Sequence, residues 1–205
     1  MAFRISRQDL DIINKIRAPK KNLKKNLERK LLGNSYDDLF FFDESRFGTH
    51  SKLGHGWFKK GSRPPVKTKL GFQNFYVYSA VSPKSGAEYS LLAPYVNTSC
   101  MNLFLAGISQ QFKQKKICII MDQAGWHKSK GLAIPSNITI IYLPPYSPEL
   151  NPIERLWQHM KRHLLKNKIY ETLQALEDAV CDFIRSFKKD VLLSICSVNY
   201  LYYYL

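Results

Sequence analysis

Acids are scarce in this chain, 16 Asp and Glu against 31 Lys and Arg. Two of them end apolar runs: Asp43 follows Leu39-Phe40-Phe41-Phe42, and Asp122 follows Ile117-Cys118-Ile119-Ile120-Met121. Continuous apolar runs of this length read as strands buried on both faces. The carboxyl ends of such strands are where open α/β sheets place their sites. If the two strands are neighbours, both carboxylates reach one sheet edge, where like charges repel unless a cation lies between them. Magnesium is the natural cation, because it is hard, prefers carboxylate oxygens and keeps positions open for water and phosphate. An Asp after a strand is also a common turn starter or helix cap. That explains either residue alone more easily than it explains the pair.

A third acid is harder to choose. Asn151-Pro152-Ile153-Glu154 reads as a helix start, with Asn151 as N-cap and Pro152 at the first helical position. Glu154 then falls at the third helical position, where a glutamate completes a capping box. Glu149, behind Ser147-Pro148, is an equal candidate on spacing. Ile153, Leu156, Trp157, Met160 and Leu164 form an apolar stripe that would bind this helix to a sheet. Arg155, Lys161, Arg162 and Lys166 populate the rest of its surface, suited to phosphates.

The elements that must position these acids alternate in type. Strands are expected at 38–43, 74–81 and 87–92, the last two joined by the turn Ser82-Pro83-Lys84-Ser85-Gly86. A helix capped by Asn97 or Thr98 runs to about Lys113, followed by strands at 116–121 and 138–143. A short helix of barely two turns fits within 128–135, and two further helices lie near 152–166 and 172–188. Early strands in a meander, then strands alternating with helices, imply an α/β fold with a mixed sheet flanked by helices. Residues 1–34 differ: ten Lys/Arg stand against Asp9, Asp11 and Glu28, in two short helical patterns split by Pro19. This reads as a basic helical segment or linker ahead of a catalytic domain at 35–205.

Net charge of +15 and a pI near 9.7 point to a polyanionic partner, with nucleic acid the default. Lys59, Lys60, Arg63, Lys67 and Lys69, close in sequence to Trp57 and Phe58, make a basic and aromatic loop suited to DNA backbone contact. His127 and Lys128 follow Asp122 closely enough to meet a phosphate, while Trp126 and Trp157 read as core. Cys100, Cys118, Cys181 and Cys196 form no CxxC pair, which argues against a zinc site or disulfide framework. No apolar run has the ~18 residues of a membrane span, and 1–11 lacks the apolar core of a secretory signal. A reducing cytoplasm fits best.

Three strings together resemble one family. They are Phe42-Asp43-Glu44-Ser45, Met121-Asp122-Gln123-Ala124-Gly125-Trp126-His127-Lys128, and the long run from Tyr142 through Pro144-Pro145-Tyr146-Ser147-Pro148-Glu149-Leu150-Asn151-Pro152-Ile153-Glu154 to Trp157. They look like those of bacterial insertion-sequence DDE transposases related to mariner elements, over about residues 36–188. The resemblance implies a ribonuclease H-like fold and a metal site of Asp43, Asp122 and Glu154, settling Glu154 over Glu149. It also implies two Mg²⁺ ions, replaceable by Mn²⁺; Asp43, which ends the strand expected at the centre of the sheet, is the expected bridging ligand. It implies double-stranded DNA as transposon end and target, a homodimer on that DNA, and a place at the bacterial nucleoid. Two rival readings are another ribonuclease H-like nuclease and a degenerate copy that only binds DNA.

Overall fold

A computed structural model describes residues 35–54, 59–62, 65, 67–145 and 147–198, together with Arg29 and Leu31. The basic segment 1–34 therefore lies almost wholly outside the described residues, as do Trp57, Phe58 and Arg63.

Five strands form one sheet: β1 (Asp38–Gly48), β2 (Asn74–Val81), β3 (Glu88–Ala93), β4 (Ile117–Met121) and β5 (Ile138–Tyr142), in the order β3-β2-β1-β4-β5. β1, β2 and β3 pair antiparallel, whereas β4 runs parallel to both β1 and β5. This is the expected mixed sheet. Its helices are α1 (Thr98–Gln111), α2 (Ile153–Leu164), α3 (Leu173–Arg185) and α4 (Lys189–Cys196).

Alternation along β1 assigns the two faces. Phe40 and Phe42, with Ile117, Ile119 and Met121 of β4, pack against Met101, Phe104, Leu105 and Ile108 of α1. Leu39 and Phe41 point the other way, with Cys118, Ile120, Ile141 and Leu150. Further along that face, Phe47, Phe75 and Val77 meet the α2 stripe of Ile153, Leu156, Trp157, Met160 and Leu164. Covered on both sides, β1 and β4 need the unbroken apolar runs seen in sequence.

Three boundaries depart from expectation. β1 does not stop at Asp43. It continues to Gly48, because Glu44–Gly48 pair with Asn74–Tyr78 of β2. What ends near Asp43 is the parallel pairing with β4, whose last matched residues are Phe41 and Ile120. Residues 129–135 form no helix; among the described residues the helical turns between β4 and α2 are short 3₁₀ segments at Gly125–Lys128 and Pro148–Leu150. The helix expected at 172–188 ends at Arg185, and extended Lys188 starts a further helix, α4, that the sequence reading lacks.

Asn151 ties α2 to the sheet. Its Oδ1 accepts from the Ile153 N–H at 3.3 Å, and its Nδ2 donates 3.0 Å to the Phe42 carbonyl, next to Asp43. Asn151→Ala removes both of these side-chain bonds, a loss of about 1–2 kcal/mol. A thermal melt should show a clear fall in Tm; an unchanged Tm would mean that neither bond contributes.

Candidate active site

The register that sets Phe41 opposite Ile120 puts Asp43 level with Asp122 when carried two residues further. Parallel neighbours in register project to the same face, strands being about 4.8 Å apart. Both acids line a cleft of about 510 Å³ whose walls also include Glu154, Gln123, Lys128 and Asn151. Glu154 enters from the first turn of α2. Glu149 sits exposed on the Pro148–Leu150 turn and does not line the cleft. Nor is Glu154 explained by a capping box, because the Asn151 N–H that a capping glutamate would accept is already given to the Pro148 carbonyl at 2.9 Å.

Burial, aided by the charges of Glu44 and Glu154, pushes the Asp43 pKa up to about 7. The Trp157 indole N–H donates to Asp43 Oδ2 at 3.0 Å and partly offsets this. Trp157 is thus core, as expected, and also a partner of the acid. Asp122 is the opposite case: a hydrogen bond from His127 is the main cause that lowers its pKa.

His127 departs from the role expected of it. Its ring is buried, with Nδ1 2.7 Å from Asp122 Oδ1 and Nε2 2.9 Å from Glu44 Oε1. No ring nitrogen is left for a phosphate, so the expected DNA contact is not available in this arrangement. Burial pulls the imidazole pKa down, but the hydrogen bonds and charges of Asp122 and Glu44 outweigh it and hold it at about 9. Trp126 is 38% exposed rather than core, and its indole N–H donates 3.0 Å to the same Glu44 oxygen. Glu44 has no role in the sequence reading, and Asn151 has only that of a helix cap. The only sequence signal for Glu44 is that it adjoins Asp43.

Residues 38–177, which hold all five strands and the three acids of the cleft, match the DDE superfamily endonuclease family. The chain belongs to that family. Among relatives of this DDE endonuclease chain, an uncharacterized protein y4pE/y4sA of Sinorhizobium fredii (strain NBRC 101917 / NGR234) is 39% identical over 107 residues, covering 52% of this chain and 79% of its own. The insertion element IS630 39 kDa protein of Shigella sonnei is 25% identical over 72% of this chain and 45% of its own. The Tc3 transposase of Caenorhabditis elegans is 24% identical over 80% and 54%. The chain thus spans about half the length of the IS630 and Tc3 proteins. Two solved structures share its fold: a pre-cleavage Mos1 transpososome (TM-score 0.66, 14% identity, 89% of this chain and 58% of that one) and a Mos1 paired-end complex with the left transposon end (0.65, 12%, 96% and 60%). The five-stranded mixed sheet flanked by helices is therefore ribonuclease H-like, as the sequence resemblance implied.

In the DDE endonuclease chain the basic residues divide by place. Lys128 lines the cleft, its ammonium bonded to Gln123 Oε1 and 5.5 Å over the Tyr142 ring. Lys161 lies half-buried with its ammonium 5.7 Å over Phe47; burial and Lys52 lower its pKa, while Glu154 and Asp43 pull it back. Arg155 turns to the Ser197 carbonyl beyond α4, and Arg162 is exposed. Lys59, Lys60 and Lys67 are exposed on the β1–β2 connection and line no part of the cleft. Lys69 is a latch, bonding the Tyr170 and Glu171 carbonyls. Among the described residues, no three His, Cys, Asp or Glu side chains gather as a ready-made cage for one ion. The three carboxylates instead stand around the cleft, with Asp122 drawn toward His127. No helix among the described residues is long and apolar enough to cross a membrane.

Proposed function

We propose that this chain is the catalytic domain of an insertion-sequence transposase, which cuts and joins DNA strands with divalent metal ions held by Asp43, Asp122 and Glu154. The observation that carries the reading is the meeting of three acids, from β1, from just after β4 and from α2, on one cleft of a chain with net charge +15. Hard oxygen donors suit Mg²⁺ or Mn²⁺. The raised pKa of Asp43 beside Glu44 and Glu154 marks an excess of negative charge that a cation would relieve. Mos1 paired-end complexes solved with Mg and with Mn support the same choice of metal. When bound, such ions would activate the attacking water or 3′-hydroxyl and stabilise the leaving oxygen.

The chain's own residues do the rest. Trp157 and the α2 packing behind it hold Asp43, and Asn151 fixes the start of α2 so that Glu154 faces the cleft. Lys128 lines the cleft and would meet phosphates together with Lys161, with Arg162, Lys59, Lys60 and Lys67 as more distant backbone contacts; Arg63 is assigned the same role from sequence alone. Double-stranded DNA, as transposon end and as target, is the partner, with a homodimer on DNA as the working assembly and the bacterial nucleoid as its place.

The test is an assay of transposon-end DNA with Mg²⁺ or Mn²⁺, scored for nicks and for joined target products. Wild type should yield both. Asp122→Asn should lower both by about a hundredfold or more, the loss of several kcal/mol of charge stabilisation. Nicks without joining would favour a plain nuclease, and undiminished activity of Asp122→Asn would remove the metal-site assignment.

A further inference from the structure

We infer that His127 is a positioning residue that aims the Asp122 carboxylate into the cleft, braced from behind by Glu44. The inference rests on the metal-site reading of Asp43, Asp122 and Glu154, and adds to it a device that sets how one ligand is presented.

The argument starts from a difference in burial between the two carboxylates. The Glu44 side chain is 6% exposed, and a buried carboxylate needs a partner. Trp126 and His127 supply it. Asp122 needs no such help, because its side chain is 58% exposed and water alone would satisfy it. The second bond of the imidazole is therefore not explained by neutralising buried charge; what it does is restrict a solvent-facing carboxylate. Asp122 Oδ1 accepts from both His127 Nδ1 and the Ala124 N–H, at 2.7 and 3.0 Å, while among the described residues none donates to Oδ2. One oxygen is pinned and the other is left for a ligand.

The brace is itself fixed. Tyr142 at the end of β5 donates its hydroxyl to the His127 carbonyl at 2.6 Å, and the His127 N–H bonds the Ala124 carbonyl at 3.0 Å. The Phe42 ring packs edge-on to the imidazole at 5.5 Å. The ring cannot turn without breaking its bonds to Glu44 on β1 and to Asp122 just after β4. Groups that orient a metal ligand from behind commonly contribute about ten- to hundred-fold to metal affinity.

Two substitutions separate the ends of the bridge. Asparagine's amide nitrogen reproduces the reach of Nδ1, and glutamine's reproduces that of Nε2. His127→Asn keeps the bond to Asp122, and His127→Gln keeps the bond to Glu44. Mn²⁺ binding to the full chain without DNA, followed by electron paramagnetic resonance, is the readout, with Tm recorded for each variant. The expected result is Mn²⁺ affinity within about threefold of wild type for His127→Asn and about ten- to hundred-fold weaker for His127→Gln. His127→Ala should be as weak as His127→Gln and should recover in part with added imidazole. Equal affinity for the Asn and Gln variants, or loss that follows Tm alone, would overturn the inference. Asp122→Asn is the control: if it binds Mn²⁺ as wild type does, the metal-site reading itself fails and the inference falls with it.

Discussion

Asp43→Asn is expected to raise the Tm of the metal-free protein at pH 8 while removing nearly all metal-dependent DNA cleavage. The carboxyl sits at about pH 7 in the fold against 3.8 unperturbed, so the folded state disfavours the ionised form. Below about pH 4 both states hold the proton and nothing is lost. Between about 4 and 7 the unfolded chain ionises first, and the destabilisation grows with pH until it is complete above about 7. The full shift corresponds to about 4 kcal/mol; solvent in the cleft reduces this to about 1–2 kcal/mol, or about 3–6 °C. Asparagine carries no charge and its oxygen can still accept from Trp157. The gain in Tm should therefore increase from pH 5 to pH 8. Mg²⁺ should reverse the order at pH 8, stabilising the wild type and not the variant. A lower Tm for Asp43→Asn at pH 8 would show that the site is not charge-strained. Cleavage should fall by about a thousandfold or more, since the proposed metal site loses one of its three carboxylates.

Glu154→Gln should lower Mg²⁺-dependent cleavage by about a hundredfold or more, whereas Glu149→Gln should leave it within about twofold. Both glutamates lie within two residues after a proline and precede or open the same helix, but of the two only Glu154 lines the cleft with Asp43 and Asp122. Glu154 accepts no capping hydrogen bond from Asn151, so its change to Gln should shift Tm by less than about 0.5 kcal/mol would. Loss of activity with an unchanged melt isolates the ligand role. Equal activities of the two variants would contradict the placement of the third acid.

The parts of this site that were legible in sequence are those fixed by local pattern. Leu39 to Phe42 and Ile117 to Met121 announce buried strands because both faces of each are covered, and the acid after each run stands out for that reason. The α2 stripe from Ile153 to Leu164 announces its own face. The continuation of β1 through Glu44, Ser45 and Arg46 was not legible, since polar residues beyond an apolar run look like a loop until β2 is seen alongside them. The partners of the acids were less legible still. Trp157 reaches Asp43 across 114 residues and His127 reaches Glu44 across 83, so neither leaves a periodic trace. His127 in particular looked like a phosphate contact because its distance from Asp122 in sequence is short, whereas its direction is set by Glu44 on another strand. Glu154 needed both sources: local pattern gave it a capping role, the family strings gave it a chemical one, and the bond from Asn151 to Pro148 removes the first.

The most direct test is crystallography of the chain with a transposon-end duplex and Mn²⁺, with data collected at the manganese edge. Anomalous peaks within about 2.0–2.3 Å of carboxylate oxygens of Asp43, Asp122 and Glu154, two of them about 4 Å apart, are the predicted result. Peaks confined to other residues, or none in a cleft that holds the DNA end, would contradict the account.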